Sequence, residues 1–460
     1  MQNCSMISQN KIDAIKEATS LLDLAGEHVR LKRRGTSHVG LCPFHAERTP
    51  SFSVGKKDER EFFHCFGCGV GGDVIAFVQK IESVGFEFAV RTLAKRAGIE
   101  IEDAPSGNTE AESIYSANEF AAKFFQRNLT DAARSYLLGR LEAETIARFF
   151  LGCAGEGWHG LRDALQEKGF SEGVAVKAGL VRRGERGAYD VFRGGRTMIP
   201  IRNEMGNIVG FAGRAMRKED EPLYVNTAES AVYRKGNVLF GAFESRAKIK
   251  ETRRVILVEG YFDAMKLIER GYPAVAICGT SLTQAQVTKI ARVADTVHVM
   301  FDGDKAGRAA AERAGEMLVT KAESVLIVEL DKGKDPDELS PSEIDLALVN
   351  SAASHFFIHA CRAGLVFDRI VKLAANMESV IGQRNAIDTI SSYFRLSSAS
   401  VESAIVKVLN KQQASEGATQ AAHAAAGQNQ PQDETDRLYF ERVGARAERV
   451  REILSHKETL

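Results

Sequence analysis

Six acidic side chains stand just beyond short apolar runs. Glu259 follows Val255-Ile256-Leu257-Val258, with Asp263 close behind; Asp302 and Asp304 follow the run that ends in Phe301; Asp335 and Asp337 come soon after Ser324–Leu330. Runs of that length rich in branched residues read as buried strands, and the helical patterns between them make the stretch Val255–Asp304 a βαβαβ unit with a parallel sheet. Open parallel sheets gather ligands at the carboxyl ends of their strands, so acids distant in sequence converge there. Converging carboxylates repel one another unless cations neutralise them, and an all-oxygen donor set suits Mg2+ or Mn2+. Glu259, Asp302 and Asp304 are therefore the first candidates for catalytic metal ligands, with Asp263, Asp335 and Asp337 more peripheral; assistance to proton transfer is the alternative role for Glu259.

A second chemistry lies near the N-terminus. Cys42-Pro43-Phe44-His45 and Cys65-Phe66-Gly67-Cys68 are two pairs of ligand residues separated by nineteen residues. That spacing matches a tetrahedral Cys3His zinc ribbon holding one structural Zn2+. His38 and His64 lack the paired spacing and read as surface residues or as neighbours of the ligands. Lys32, Arg33, Arg34, Arg48, Lys56, Lys57 and Arg60 are interleaved with Phe52, Phe62, Phe63 and Phe66. Charge for phosphates beside flat rings for bases is what a single-strand surface requires, although most of these rings are expected to form the small ribbon core.

The motifs carry a resemblance. Glu259-Gly260-Tyr261-Phe262-Asp263, Phe301–Arg308 and Asp335-Pro336-Asp337 resemble the signatures of the Toprim domain, most closely as found in bacterial replicative primases of the DnaG type. Cys42–Phe52 and His64–Gly69 are similar to the zinc-binding domain of the same family. Tyr136–Arg140, Ala147–Gly152 and Gly157-Trp158 resemble the start of its catalytic core. The family places a basic subdomain opposite the active site, which implies Arg140, Arg214, Tyr224, Asn226 and Lys235 as template or nucleotide contacts here. Leu223 departs from this pattern, since the family usually has a lysine there; Arg217, Lys218 and Arg234 are nearby cations. Trp158, the lone tryptophan, reads as a packed residue.

The resemblance implies a DNA-directed RNA polymerase that makes short primers on single-stranded DNA from ribonucleoside triphosphates, a nucleotidyltransferase of replication. Two rivals remain. A type IA topoisomerase needs a nucleophilic tyrosine on a large gate domain, which the all-α remainder does not offer, and a nuclease would use the same acids. A non-catalytic single-strand binding module for replication loading would not need acids intact at all three places.

The elements that position these residues give a multidomain α+β and α/β chain. The expected parts are a zinc ribbon at 1–101, a linker at 102–110, the basic subdomain at 111–250, the parallel-sheet Toprim part at 251–345, a helical subdomain at 346–411, a flexible linker at 412–433 and a final helix at 434–460. Helices are expected over Ile12–Val29, Ala111–Leu129 and Gly382–Lys411, and a hairpin over Met198–Arg214. The last helix carries a stripe, Tyr439, Val443, Ala447, Val450 and Leu454, too short to bury itself alone. In the family the corresponding region docks on a replicative helicase of the DnaB type and is much longer, so a reduced docking tail is the expectation.

Composition adds limits. Lysine plus arginine and aspartate plus glutamate both number 61, so no net charge marks a polyanion binder. Residues 28–60 nevertheless hold eight basic side chains against three acidic ones, and residues 182–254 hold sixteen against nine. No apolar run is long enough to span a bilayer and Met1–Lys11 is polar, which points to a cytoplasmic protein without a membrane partner. Seven cysteines, three of them within Cys42–Cys68, fit metal ligation better than disulfides.

Overall fold

A computed structural model describes residues 7–45, 47, 49–57, 60–101, 109–217, 220–279, 281–351, 356–357 and 367–425. It divides into two units. The first comprises Met1–Ala294, Met300–Asp304 and Leu330–Ile344; the second comprises Asp295–Val299, Lys305–Glu329 and Asp345–Leu460.

The first unit begins with two helices, Gln9–Ala18 and Leu21–Gly26, where periodicity alone suggests one. Ser20 is the reason for the break: its side chain accepts from the Asp23 amide and starts a new helix. Five antiparallel strands follow in spatial order Lys32–Arg34, Ser37–Gly40, Phe52–Lys57, Arg60–Cys65, Gly71–Gly72. Alternation along two of them sends Phe52, Val54, Phe63 and Cys65 inward. Phe63 packs on Phe52 and Phe77 with centroids 5.5 Å apart in each case, and Phe44 lies 5.6 Å from Phe77. Phe62 and Phe66 remain exposed. Asp73 caps the helix Val74–Glu82 by accepting from the Ile75 and Ala76 amides, and Phe86–Ala97 completes the layer.

Residues 102–108 of the expected linker lie outside the described residues. Its last two positions belong to the next element: Thr109 and Glu112 form a capping box on the helix Glu110–Arg127. One face of that helix, including Ile114, Ala121 and Phe125, packs into a core with Met198, Ile208 and Phe211. The last three come from the hairpin Thr197–Arg202 and Ile208–Arg214, the inner strands of a four-stranded sheet ordered Tyr224–Asn226, Ile208–Arg214, Thr197–Arg202, Gly152–Cys153. Farther on, Arg254–Val258 pairs in parallel with Ala274–Ala276, joined through the helix Tyr261–Glu269. The Met300 amide donates to the Leu257 carbonyl at 2.9 Å, which lays Met300–Asp304 beside that strand.

In the second unit Thr296–Val299 pairs in parallel with Ser324–Ile327, joined through the helix Lys305–Leu318. The single helix expected over Gly382–Lys411 is two, Val380–Phe394 and Ser398–Ala425. Arg395 turns left-handed at φ 53° and the Ser397 hydroxyl accepts from the Ser400 amide, so a serine cap overrides the continuous apolar pattern. The second of these helices also corrects the expected flexible linker, because it runs through residues 412–425; the alanine-rich composition there favours helix. Residues 426–460, including the predicted final helix and its stripe, lie outside the described residues, as do residues 352–355 and 358–366 of the expected helical subdomain.

Candidate active site and zinc centre

Cys42, His45, Cys65 and Cys68 come together, with one donor atom from each within 4.8 Å of all the others. Two separations are telling: Cys42 Sγ to Cys68 Sγ is 3.9 Å and Cys65 Sγ to His45 Nδ1 is 3.8 Å. A tetrahedron with Zn–S bonds of about 2.3 Å has edges of about 3.8 Å, so these residues fit zinc. The Phe44 and Cys68 amides donate to Cys42 Sγ and Cys65 Sγ, each at 3.4 Å, as the short knuckles require. His45 presents Nδ1 to the thiols because Nε2 lies 3.2 Å from Glu47, which also accepts from the Cys42 amide at 2.5 Å. Glu47 orients the donor set, a role the ligand spacing did not reveal. His64 stays outside the cluster, packed 4.7 Å from the exposed Phe66 ring.

The acids assemble for a backbone reason. Gly303 donates to the Lys334 carbonyl at 2.9 Å, and a Cβ there would stand 2.2 Å from the Asp331 carbonyl oxygen. Only glycine permits that approach, which clamps the Asp302-Gly303-Asp304 turn onto the loop bearing Asp335 and Asp337. Asp263 arrives from the helix Tyr261–Glu269, where its Oδ2 accepts from the Gly260 amide at 3.0 Å. Glu259 ends the preceding strand, with its carbonyl accepting from the Cys278 amide at 3.0 Å.

Burial and mutual charge act together on Asp263, Asp302 and Asp335. Burial, then the charges of Asp337 and Asp302, push Asp263 up to about 7. Burial, then Asp335, Asp304 and Asp337, push Asp302 up to about 6, and Asp335 is raised by burial and by Asp337. Asp302 Oδ1 is buried without a hydrogen-bond partner among the described residues. A buried carboxylate oxygen amid like charges is a cation ligand in waiting, and the all-oxygen set fits a hard divalent ion. Arg140 is a cation beside them, 3.8 Å from Asp337.

Four of the residues implied by the resemblance, Arg140, Arg214, Tyr224 and Asn226, are tied together through the side chains of Phe262 and Tyr261 and the strand register. Strand register sets Arg214 directly opposite Tyr224 and Ala212 opposite Asn226, which aligns Arg214, Tyr224 and Asn226 on one face. Arg214 donates to the hydroxyls of Tyr136, at 2.8 Å, and Tyr224. Arg140 and Arg214 lie 4.7 and 5.0 Å from the centroid of the same ring, Phe262, the residue preceding Asp263. Tyr261 donates to Asn226 Oδ1 at 2.8 Å. Lys235 opens a turn, Lys235–Asn237, held by Thr283 through the Gly236 carbonyl; its Cε packs near Gly279. Phe262, Tyr261 and Tyr136 were not singled out from sequence, although two of them lie inside the Glu259–Asp263 motif. Leu223 contributes its carbonyl, accepting from the Ala215 amide at 2.9 Å.

Trp158 corrects its sequence reading. It is 53% exposed, with the Arg193 guanidinium 4.0 Å from its ring and Tyr189 5.6 Å away. An exposed indole with a cation upon it presents a stacking surface rather than core packing.

A Cys3His zinc ribbon, a basic face packed on rings and carboxylates gathered beside a parallel strand pair are the features of a zinc-ribbon protein of the Toprim class. Residues 7–109 match the CHC2 zinc finger family, 120–246 the N-terminal domain of the DNA primase catalytic core, and 256–340 the Toprim-like family. A protein named DNA primase from Halalkalibacterium halodurans is 39% identical over 345 residues, covering 72% of this chain and 57% of its own length. The crystal structure of the Aquifex aeolicus primase zinc-binding and RNA polymerase domains superposes with a TM-score of 0.58 at 29% identity, over 86% of this chain and 99% of that one. A DnaG primase catalytic domain bound to ssDNA gives 0.57 at 26% identity, over 63% and 99%. The chain belongs to the DnaG-type DNA primase family. It spans 55% to 60% of the length of the first curated relatives it matches.

Proposed function

We propose that the chain is a DNA-directed RNA polymerase, a primase that joins ribonucleotides on a single-stranded DNA template by nucleotidyl transfer. The observation that carries this reading is the junction of two sites on one helix: Asp263 belongs to the acid cluster, while its neighbours Tyr261 and Phe262 support Asn226, Arg140 and Arg214. A polymerase needs that adjacency, because the triphosphate must lie where the acids are.

Glu259, Asp302 and Asp304, with Asp263, Asp335 and Asp337 around them, would hold Mg2+ or Mn2+. Such an ion, when bound, neutralises triphosphate charge and lowers the pKa of an attacking hydroxyl. The protein's part is placement. Arg140, Arg214 and Lys235 hold phosphates of nucleotide or template, and the rings fix the two guanidiniums so that little side-chain freedom is lost on binding. Tyr224 and Asn226 line the same face and position sugar or base. Trp158 and Arg193 stack and hold the template strand, in keeping with the ssDNA bound by the DnaG catalytic domain similar to this chain. The zinc ribbon, with the exposed Phe66 and basic Lys32–Arg34, selects the start of the template. A replicative helicase is the partner proposed for residues 434–460, and the cytoplasm is the proposed compartment. No helix among the described residues is long and apolar enough to cross a membrane.

The test is incorporation. The chain is incubated with single-stranded DNA, labelled ribonucleoside triphosphates and Mg2+ or Mn2+; short RNA appearing only with template supports the reading. Tight strand binding without product under either ion favours a loading module instead.

A further inference from the structure

A cavity of about 490 Å³ lies away from the acids. Its walls come from three parts of the first unit: Glu27, His28 and Pro43 near the zinc knuckle, Asn203 and Glu204 from the central hairpin, and Lys289 and Arg292 from the helix Gln284–Val293. That volume falls within the range for small-molecule sites. Six cationic side chains line it, Arg234, Arg246, Lys250, Arg253, Lys289 and Arg292, against three carboxylates, Glu27, Glu82 and Glu204.

Those carboxylates are already engaged. Glu204 takes Lys289 at 2.5 Å, Glu27 takes Arg96 at 2.8 Å and the cavity-lining Arg246 at 3.7 Å, and Glu82 accepts from Tyr115 and Asn203, each at 2.7 Å. Lys250 pairs outside the cavity with Asp23. Among the described residues neither Arg234 nor Arg292 has a carboxylate partner; Arg292 faces the Cys42 thiol. Apolar walls, Val232, Leu239 and Ile249 among them, complete the lining. Surplus positive charge beside apolar wall, in a half-open pocket of this size with Arg234 at its exposed rim, suits a ligand with a polyanionic end and a flat apolar body.

We infer that this cavity is a second nucleotide site, taking a free nucleoside polyphosphate with its phosphates on Arg234 and Arg292. Because the ligand would touch the zinc module, the hairpin and the Toprim helix together, binding holds these three parts in the arrangement seen. It also reaches the catalytic cleft: Arg234 immediately precedes Lys235, and the cavity-lining Asn237 and Val238 continue the same turn. A ligand fixing Arg234 therefore fixes the backbone that presents Lys235.

The experiment is calorimetric titration of the full chain with ATP, without added divalent ion, alongside a single-stranded dT oligonucleotide. The double variant Arg234→Gln/Arg292→Gln is compared with Arg214→Gln/Lys235→Gln, which weakens the catalytic cleft. Zinc content and thermal melting confirm that each variant is folded, and Arg292→Lys retains the charge should the glutamine variant fail. The expected result is an ATP site that survives the cleft substitutions, weakens about tenfold or more in Arg234→Gln/Arg292→Gln and is largely kept in Arg292→Lys. ATP binding unchanged by the cavity substitutions overturns the inference. So does a loss confined to the oligonucleotide, which would give the cavity to a strand.

Discussion

Replacing Asp263 with asparagine removes a charge that the metal-free site holds at a cost. Asp263 rises from 3.8 to about 7, through burial first and then Asp337 and Asp302. A shift of that size corresponds to ~4 kcal/mol at most, and to about 2 kcal/mol once solvent screening and the shared titration of the cluster are counted. The direction follows from linkage. The folded-state pKa is raised, so above about pH 7 the carboxylate is ionised folded and unfolded alike and the full cost is present. As pH falls from about 7 to about 4, the folded state takes up the proton first and the cost disappears. Asparagine keeps an oxygen to accept from the Gly260 amide, so the helix cap survives. At about pH 8 without divalent ions, Asp263→Asn therefore melts about 3 °C higher than the parent chain. The gap narrows toward about pH 5, and added Mg2+ stabilises the parent more than the variant. Calorimetry across pH, with and without Mg2+, reads all three. A variant that melts lower at high pH, or a gain independent of pH, refutes the account of a strained, cation-seeking cluster.

Other perturbations test other parts. Trp158→Ala is expected to weaken single-strand affinity by about 1–3 kcal/mol, measured by fluorescence anisotropy, while leaving the salt dependence nearly unchanged because no cation is removed. Arg96→Ala strips a largely buried guanidinium from Glu27, whose carboxyl burial already raises and which keeps only Arg246 at 3.7 Å; denaturant unfolding should show a loss of about 3 kcal/mol at most. Removing zinc with a chelator should expose the four-ligand ribbon to thiol reagents and to protease within residues 30–70, whereas the helix Glu110–Arg127 and its sheet stay protected under hydrogen exchange.

Much of this arrangement was legible in the sequence because it rests on short-range rules. The spacing from Cys42 to Cys68 named four residues that do meet, and the apolar run ending at Phe301 placed Asp302 beside Asp304, whose charge acts on it. What stayed hidden depended on partners remote in the chain. Glu47 beside His45 and Gly303 against the Asp331 carbonyl have no periodic signal. Phe262 looked like one more apolar helix residue, yet two arginines that come together only through the fold rest on its ring. Trp158 misled in the opposite sense, since a lone tryptophan is more often packed than displayed. Local capping defeated periodicity at Ser20 and Ser397, where serine hydroxyls stop what apolar spacing would continue.

The central claim is that the acids beside Asp302 support template-directed RNA synthesis. The most direct measurement compares the parent chain with Asp302→Asn for labelled ribonucleotide incorporation on single-stranded DNA, with strand binding measured on the same preparations. The account predicts short, template-dependent RNA from the parent and a loss of at least about a hundredfold in the variant, with strand affinity kept. Equal synthesis by the two proteins would contradict it.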